Sequence, residues 1–203
     1  VRATLAKLVL ALFRVRMIGA ERIPASGAVL AGNHVSYMDP VTLWSAAPRP
    51  VHFMAKRELW EGRFLGWLLP RLWAFPVARG EVDRGAIERA TAIVRDGGLV
   101  GIFPEGTRAD ADVDAPGEAH GGAAFVALRT GVPIVPVAFI GTDRVMPRGA
   151  KLPRPGRVTI RFGTPIAPDD VEASSRKERV RALTDAAMAG IAAELAAGRD
   201  EAP

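Results

Sequence analysis

Two hydrophobic regimes alternate along this chain. Short, nearly continuous apolar runs occur at 27–32, 51–55, 75–80, 99–103, 132–138 and 158–162, the length and texture of buried strands. Helical spacing fills the stretches between several of them. At 2–16, Leu5, Leu8, Val9 and Leu12 share one face, with Phe13 at its edge and Lys7 and Arg14 opposite. A short helix over 40–46 is predicted to stop at Pro48-Arg49-Pro50. Asp83 opens another, with Ile87, Thr91 and Val94 inward and Gly97-Gly98 as its end. Gly121-Gly122 opens a small-residue helix that Gly131 stops near Thr130. Ser175 and Glu178 have capping-box spacing, and Val180, Leu183, Ala187, Ile191 and Leu195 then line one face of a last helix. Strand and helix alternating at this spacing predict an α/β fold, with a largely parallel central sheet flanked by helices. The expected organisation is a single domain: an amphipathic helical segment at 1–20, then the α/β unit at 21–203. Pro133 and Pro136 predict that the 132–138 run is an edge strand or the mouth of one.

In such a sheet, functional side chains collect beyond the carboxyl ends of strands. Three segments qualify. Asn33-His34-Val35-Ser36-Tyr37-Met38-Asp39 follows the first run, Arg79 ends the third, and Glu105-Gly106-Thr107-Arg108 follow the fourth. Asp39 precedes Pro40 and so occupies the position expected of a helix N-cap. A carboxylate there can hold one imidazole nitrogen of His34 protonated and leave the other free to accept a proton. Taken alone, the stretch reads equally well as a turn histidine beside an ordinary cap.

Composition narrows the chemistry. Of 203 residues, 49% are hydrophobic and 24% charged, which fits a folded core. The net charge of +5 favours anionic partners without choosing among them. Cysteine is absent, which removes disulfides, thiolate nucleophiles and thiolate metal sites. His34, His52 and His120 have no metal-ligand spacing, so no metal is expected, and His52 reads as a strand residue. No Gly-x-Ser-x-Gly elbow, phosphate loop or Gly-x-Gly-x-x-Gly occurs. What remains is a His–Asp pair with two arginines after strand ends. That set suits direct transfer, with His34 deprotonating a substrate hydroxyl and arginine forks holding an anion on the same substrate. Residues 57–73 interleave Trp60, Trp67, Trp73 and several leucines with Arg57, Arg63 and Arg71, a texture suited to a membrane interface or an acyl-chain groove. No 18-residue uncharged apolar run is present. The basic helix at the start of the chain predicts a surface anchor, and the acidic 109–119 stretch a loop over the active face.

These segments together resemble the glycerolipid acyltransferase family, in its lysophosphatidate acyltransferase group. Asn33 through Asp39 matches the family's His-x4-Asp block. Phe75-Pro76-Val77-Ala78-Arg79-Gly80 is similar to the second block, and Phe103-Pro104-Glu105-Gly106-Thr107-Arg108 matches the third. Val132-Pro133-Ile134-Val135-Pro136-Val137 is similar to the fourth. The resemblance spans about residues 20–165. It implies transfer of a fatty acyl group from an acyl-CoA or acyl-carrier-protein thioester to the free hydroxyl of lysophosphatidate, in phospholipid biosynthesis. No acyl-enzyme, cofactor beyond the thioester co-substrate, or nucleic-acid partner is implied. His34 and Asp39 would be catalytic. Arg79, Glu105, Gly106, Thr107 and Arg108 would hold the acceptor, with Asn33, His120 and Pro133 as neighbours of its site. His120 stands where relatives often carry a cation. The implied location is peripheral, on the cytoplasmic face of the membrane. Alternative readings are another acceptor (glycerol 3-phosphate, another lysophospholipid or an amino-acid lipid) and a non-catalytic lipid-binding module.

Overall fold

The computed structural model describes residues 2–77, 83–105, 120–150 and 152–200. Seven strands form one sheet in the order β1-β7-β6-β2-β5-β3-β4. They are β1 (Arg16–Ile18), β2 (Ala28–Gly32), β3 (Val51–Lys56), β4 (Ala74–Val77), β5 (Leu99–Ile102), β6 (Ile134–Ile140) and β7 (Thr159–Phe162). β2 through β6 run parallel; β7 is antiparallel to β6, and β1 is parallel to β7. The helices are α1 (Arg2–Leu12), α2 (Met38–Ala46), α3 (Arg63–Leu68), α4 (Arg84–Arg95), α5 (Gly122–Thr130), the one-turn α6 (Thr142–Val145) and α7 (Arg176–Asp200).

Period-two alternation sorts the core into two layers. Leu30, Leu99, Val135, Val137 and Phe139 point to the side covered by α1 and α2, where Phe13, Leu43 and Trp44 meet them. Val29, Ala31, Val100, Ile102 and Ile134 point to the other side, against α4, α5 and α7. β2 is buried along its whole length, as a central parallel strand must be. The Asp83 cap is present, its carboxylate accepting the Ala86 amide at 3.0 Å. Ser175 and Glu178 form the reciprocal capping box ahead of α7.

Four expectations change. The first helix ends at Leu12, not 16: Arg14 takes a positive φ of 43°, and β1 joins the sheet edge through β7. Residues 13–20 therefore belong to the sheet domain rather than to a helical segment. The buried side of α1 is also turned. Ala6 and Phe13 are buried, with Val9 and Leu10 packed beside them, whereas Leu5, Leu8 and Leu12 are exposed. At 100° per residue the packed face lies about a third of a turn from the leucine face.

The 132–138 run is not an edge. β6 sits between β2 and β7, and the missing Pro136 amide is accommodated by an irregularity in its neighbour. Val137 pairs with Phe162 and Ile134 with Ile166, so four residue steps oppose three, and the Pro136 carbonyl accepts Gly163 N–H at 2.8 Å. Finally, Asp39 lies inside the first turn of α2 rather than at its cap. Ser36 Oγ accepts the Met38 amide instead, at 3.2 Å.

The 57–73 excursion between β3 and β4 carries no buried residue among those whose side chains are described, despite its tryptophans and leucines. Trp67 is 54% exposed and lies under the Arg71 guanidinium.

Gly101 keeps one face of β5 clear for an aromatic ring. A Cβ there would stand 2.5 Å from the Phe53 ring. Gly101→Ala is expected to destabilise the chain by about 1–3 kcal/mol, as overpacking of a filled core does. Calorimetry should show a melting point lowered by roughly 2–4 °C per kcal/mol. An unchanged melting point would mean that the ring is free to move aside.

Candidate active site

β2, β5 and β6 deliver their carboxyl ends to one edge of the sheet, and the His34 turn is built across those ends. Gly32 is required there, because a Cβ would come within 2.6 Å of the Phe139 ring. Asn33 follows. Its side chain donates to the Phe139 carbonyl at 3.1 Å and accepts the Phe139 amide at 2.8 Å. It thereby continues the β2–β6 ladder with an amide side chain where the main chain turns away. Both groups are buried, so both bonds satisfy atoms that water does not reach. Asn33 is a strut of the turn rather than a group facing an acceptor.

Asp39 then organises residues 34–36. It is fully buried. Its Oδ2 accepts the Val35 and Ser36 amides and lies 2.8 Å from His34 Nδ1, each contact having the same length. An oxygen already taking two amide hydrogens is an acceptor, so Nδ1 carries a ring hydrogen, and in the neutral ring the lone pair falls to Nε2. Ser36 Oγ donates to the Met146 carbonyl at 2.9 Å, tying the turn to the segment after α6. That hydroxyl is engaged in structure and is not poised as a nucleophile.

Phe103 holds the imidazole from its face. The two rings stack with centroids 4.2 Å apart and planes 22° from parallel. Phe103 is itself set among Phe53 and Phe139, at 6.5 and 6.1 Å. Sequence reasoning placed no role on Phe103. Its signal was parity: Leu99, Gly101 and Phe103 alternate onto the face from which the His34 turn hangs.

Glu105 approaches from the end of β5. Burial pushes its pKa up; the His34 main-chain amide and the His34 ring oppose the shift, and the nearby Asp39 adds to it. Asp39 Oδ1 and Glu105 Oε2 are buried and have no partner among the described residues. Two carboxyl oxygens beside one imidazole thus keep acceptor capacity in hand.

Of the remaining candidates, His120 is exposed, and its main-chain amide donates to the Pro104 carbonyl at 2.7 Å. Pro133 lies at the amino end of β6, its carbonyl accepting the Val29 amide at 3.1 Å. It is therefore at the opposite sheet edge from His34, since β2 and β6 run parallel. Arg79, Gly106, Thr107, Arg108 and the acidic 109–119 stretch lie outside the described residues. His52 tilts against Trp73 at 5.3 Å, and its pKa is lowered by burial and by Arg89, as befits a packed strand histidine. No group of three or more metal-ligating side chains occurs among the described residues.

The arrangement suits acyl-type transfer: an imidazole oriented by a buried carboxylate, with no cysteine in the chain to form a thioester intermediate. Comparison with known proteins agrees. A family model described as "Acyltransferase" matches residues 14–140. A Bacillus subtilis protein named 1-acyl-sn-glycerol-3-phosphate acyltransferase is 33% identical over 174 residues, covering 85% of this chain and 83% of its own. A Streptococcus pneumoniae protein of the same name is 33% identical over 147 residues, which are 71% of this chain and 52% of that one. The crystal structure of the 1-acyl-sn-glycerophosphate acyltransferase PlsC from Thermotoga maritima superposes with a TM-score of 0.68 at 26% identity, covering 96% of this chain and 81% of that one. A His34–Asp39 pair at the carboxyl edge of this sheet, with this match in sequence and shape, places the chain in the acyltransferase family, as an O-acyltransferase.

Proposed function

We propose that the chain moves a fatty acyl group from a thioester, acyl-CoA or acyl-carrier protein, to the free hydroxyl of lysophosphatidate. The observation that carries this reading is the 2.8 Å contact between His34 Nδ1 and Asp39 Oδ2, which leaves Nε2 as the open acceptor. The relatives named above supply the acceptor class. Nε2 takes the proton of the lipid hydroxyl as its oxygen attacks the thioester carbonyl carbon. The C–S bond then breaks, and the thiolate leaves with the proton that Nε2 returns. The products are an ester and a free thiol, with no acyl-enzyme. Asp39 holds the ring in the required tautomer and stabilises the imidazolium formed in transit. Arg79 and Arg108 hold the acceptor phosphate, a role that the family resemblance assigns them. Gly106 and Thr107 lie between Glu105 and Arg108 and shape the same pocket.

The acceptor is a lipid, so the enzyme works at the cytoplasmic face of the membrane as a peripheral protein. Among the described residues no helix is long and apolar enough to cross a bilayer.

His34→Ala is expected to lower kcat by about a hundred- to ten-thousandfold with the melting point kept, as loss of a general base does. Turnover near wild type, with lysophosphatidate and either donor, would remove His34 from the chemistry. In the same assay Arg108→Ala should raise KM for lysophosphatidate by at least tenfold and leave the donor KM unchanged. A change confined to the donor would overturn the phosphate role.

Glu105 gives a pH dependence. Its folded pKa is raised, so the native state binds the proton more tightly than the unfolded chain. Its contribution is fully present below the ordinary glutamate range and is lost as pH rises through the raised value. Glu105→Gln removes that loss. Melting curves should therefore show the variant gaining on wild type at pH 7–8, with the gain shrinking towards pH 4. A difference independent of pH would show that no proton is linked to this group.

A further inference from the structure

His34 becomes a cation in the middle of the proposed transfer, and the fold gives it little water. Its side chain is 12% exposed. Asp39 answers the charge at one edge of the ring, through Nδ1. The faces of the ring carry a separate cost. An aliphatic cover would strip water from the imidazolium and return nothing for it.

Phe103 is the cover that the structure provides. Its ring lies 4.2 Å from the imidazole, centroid to centroid, with the planes 22° apart. The imidazole therefore sits over the π-face of Phe103 and not against its edge. That face carries the negative part of the ring's quadrupole. A cation within about 6 Å of the centroid is attracted to it, most strongly where water is scarce. The neutral imidazole gains burial and dispersion from the stack. The imidazolium gains these and the electrostatic attraction besides. The contact is thus stronger once the proton has moved, which is the condition under which an interaction raises a rate.

Other rings hold Phe103 in this pose. Phe53, from β3, lies 6.5 Å away with its plane 13° from parallel, and Phe139, from β6, lies 6.1 Å away and tilted. Each of these two rings occupies space that a glycine leaves open, Gly101 beside Phe53 and Gly32 beside Phe139. Four strands therefore contribute to the placement of one aromatic face. The titratable groups that the structure sets near the imidazole are Asp39, from α2, and Glu105, beyond β5. Both stay in place when residue 103 alone is changed, so a comparison of side chains at 103 isolates the ring.

We propose that Phe103 tunes the base: its π-face stabilises the imidazolium that forms when Nε2 takes the acceptor's proton. Phe103 acts through His34 and is a positioning residue, not a catalytic one. The inference rests on the general-base reading of His34 and adds to it a second source of stabilisation for the charged ring, independent of Asp39.

The test replaces Phe103, at that codon alone, by phenylalanines carrying one, two and three ring fluorines. Fluorine withdraws charge from the π-face and changes the size of the ring little, so a packing role would not respond. Turnover is read with acyl-CoA and lysophosphatidate. A stepwise fall in kcat with fluorine number is expected, reaching about three- to tenfold for the trifluorinated ring, with KM for both substrates kept within about twofold. Phe103→Leu, which keeps an apolar cover and removes the π-face, is expected to lose about tenfold in kcat. A flat kcat across the fluorinated series would leave Phe103 with packing alone and overturn the proposal. A loss confined to KM would set Phe103 against a substrate and overturn it equally. His34→Ala reads the base assignment separately: turnover surviving in that variant overturns the general-base reading, whereas a flat series beside an inactive His34→Ala overturns only the role of Phe103. Melting points of the fluorinated chains close to wild type show that the fold is kept.

Discussion

Asp39 is wholly buried, and one of its oxygens accepts two main-chain amides and the ring hydrogen of His34. A carboxylate removed from water is costly unless donors replace the lost hydration. Here the donors come from the three residues before Tyr37, so satisfying the charge and shaping the turn are one event. The backbone of 34–36 curls around the carboxylate, which holds the imidazole at Nδ1 while Phe103 stacks on its face. Moving Asp39 inside the first turn of α2, rather than at its cap, is what brings its side chain back over the preceding residues. Ser36 Oγ accepts the Met38 amide at the entry to α2.

The sheet supplies the rigidity around that contact. Asn33 fastens the start of the turn to β6 through both hydrogen bonds with Phe139. Phe103 rises from the end of β5 and stacks on the imidazole, while the Glu105 carboxylate lies near the His34 amide from the same strand end. Three neighbouring parallel strands thus fix one side chain from different directions. Gly32 and Gly101 keep the space for the rings that do this, which is why neither position accepts a Cβ without displacing an aromatic. A site on strand ends, and not on a free loop, suits a reaction that depends on holding one nitrogen towards a hydroxyl.

Much of this was legible in the chain. Apolar runs and glycine stops located six strands and most helices, and of the polar segments read after strand ends the His34 turn and Glu105 do meet at one sheet edge. What was not legible depends on partners distant in sequence. β1 has three residues, too few for a period, and exists because β7 offers an edge. The packed side of α1 is chosen by α2, and a helix apolar over half its circumference does not announce which half is covered. Pro136 reads as an edge signal until the irregular step between Phe162 and Ile166 is seen opposite it. Pro133 appeared near the site because its block resembles a family motif, yet strand direction sends it to the far edge. Asn33 resembled a substrate contact by adjacency to His34; only the position of Phe139, 106 residues away, reveals its structural use.

The proposed chemistry turns on the tautomer of His34, and nitrogen NMR of the labelled, folded chain at neutral pH reads it without substrate. A protonated Nδ1 and a bare, pyridine-like Nε2 are expected, with Asp39→Asn abolishing that preference. A protonated Nε2 with a bare Nδ1 in the wild-type chain would contradict the central claim, because the nitrogen facing the acceptor would then have no lone pair to give.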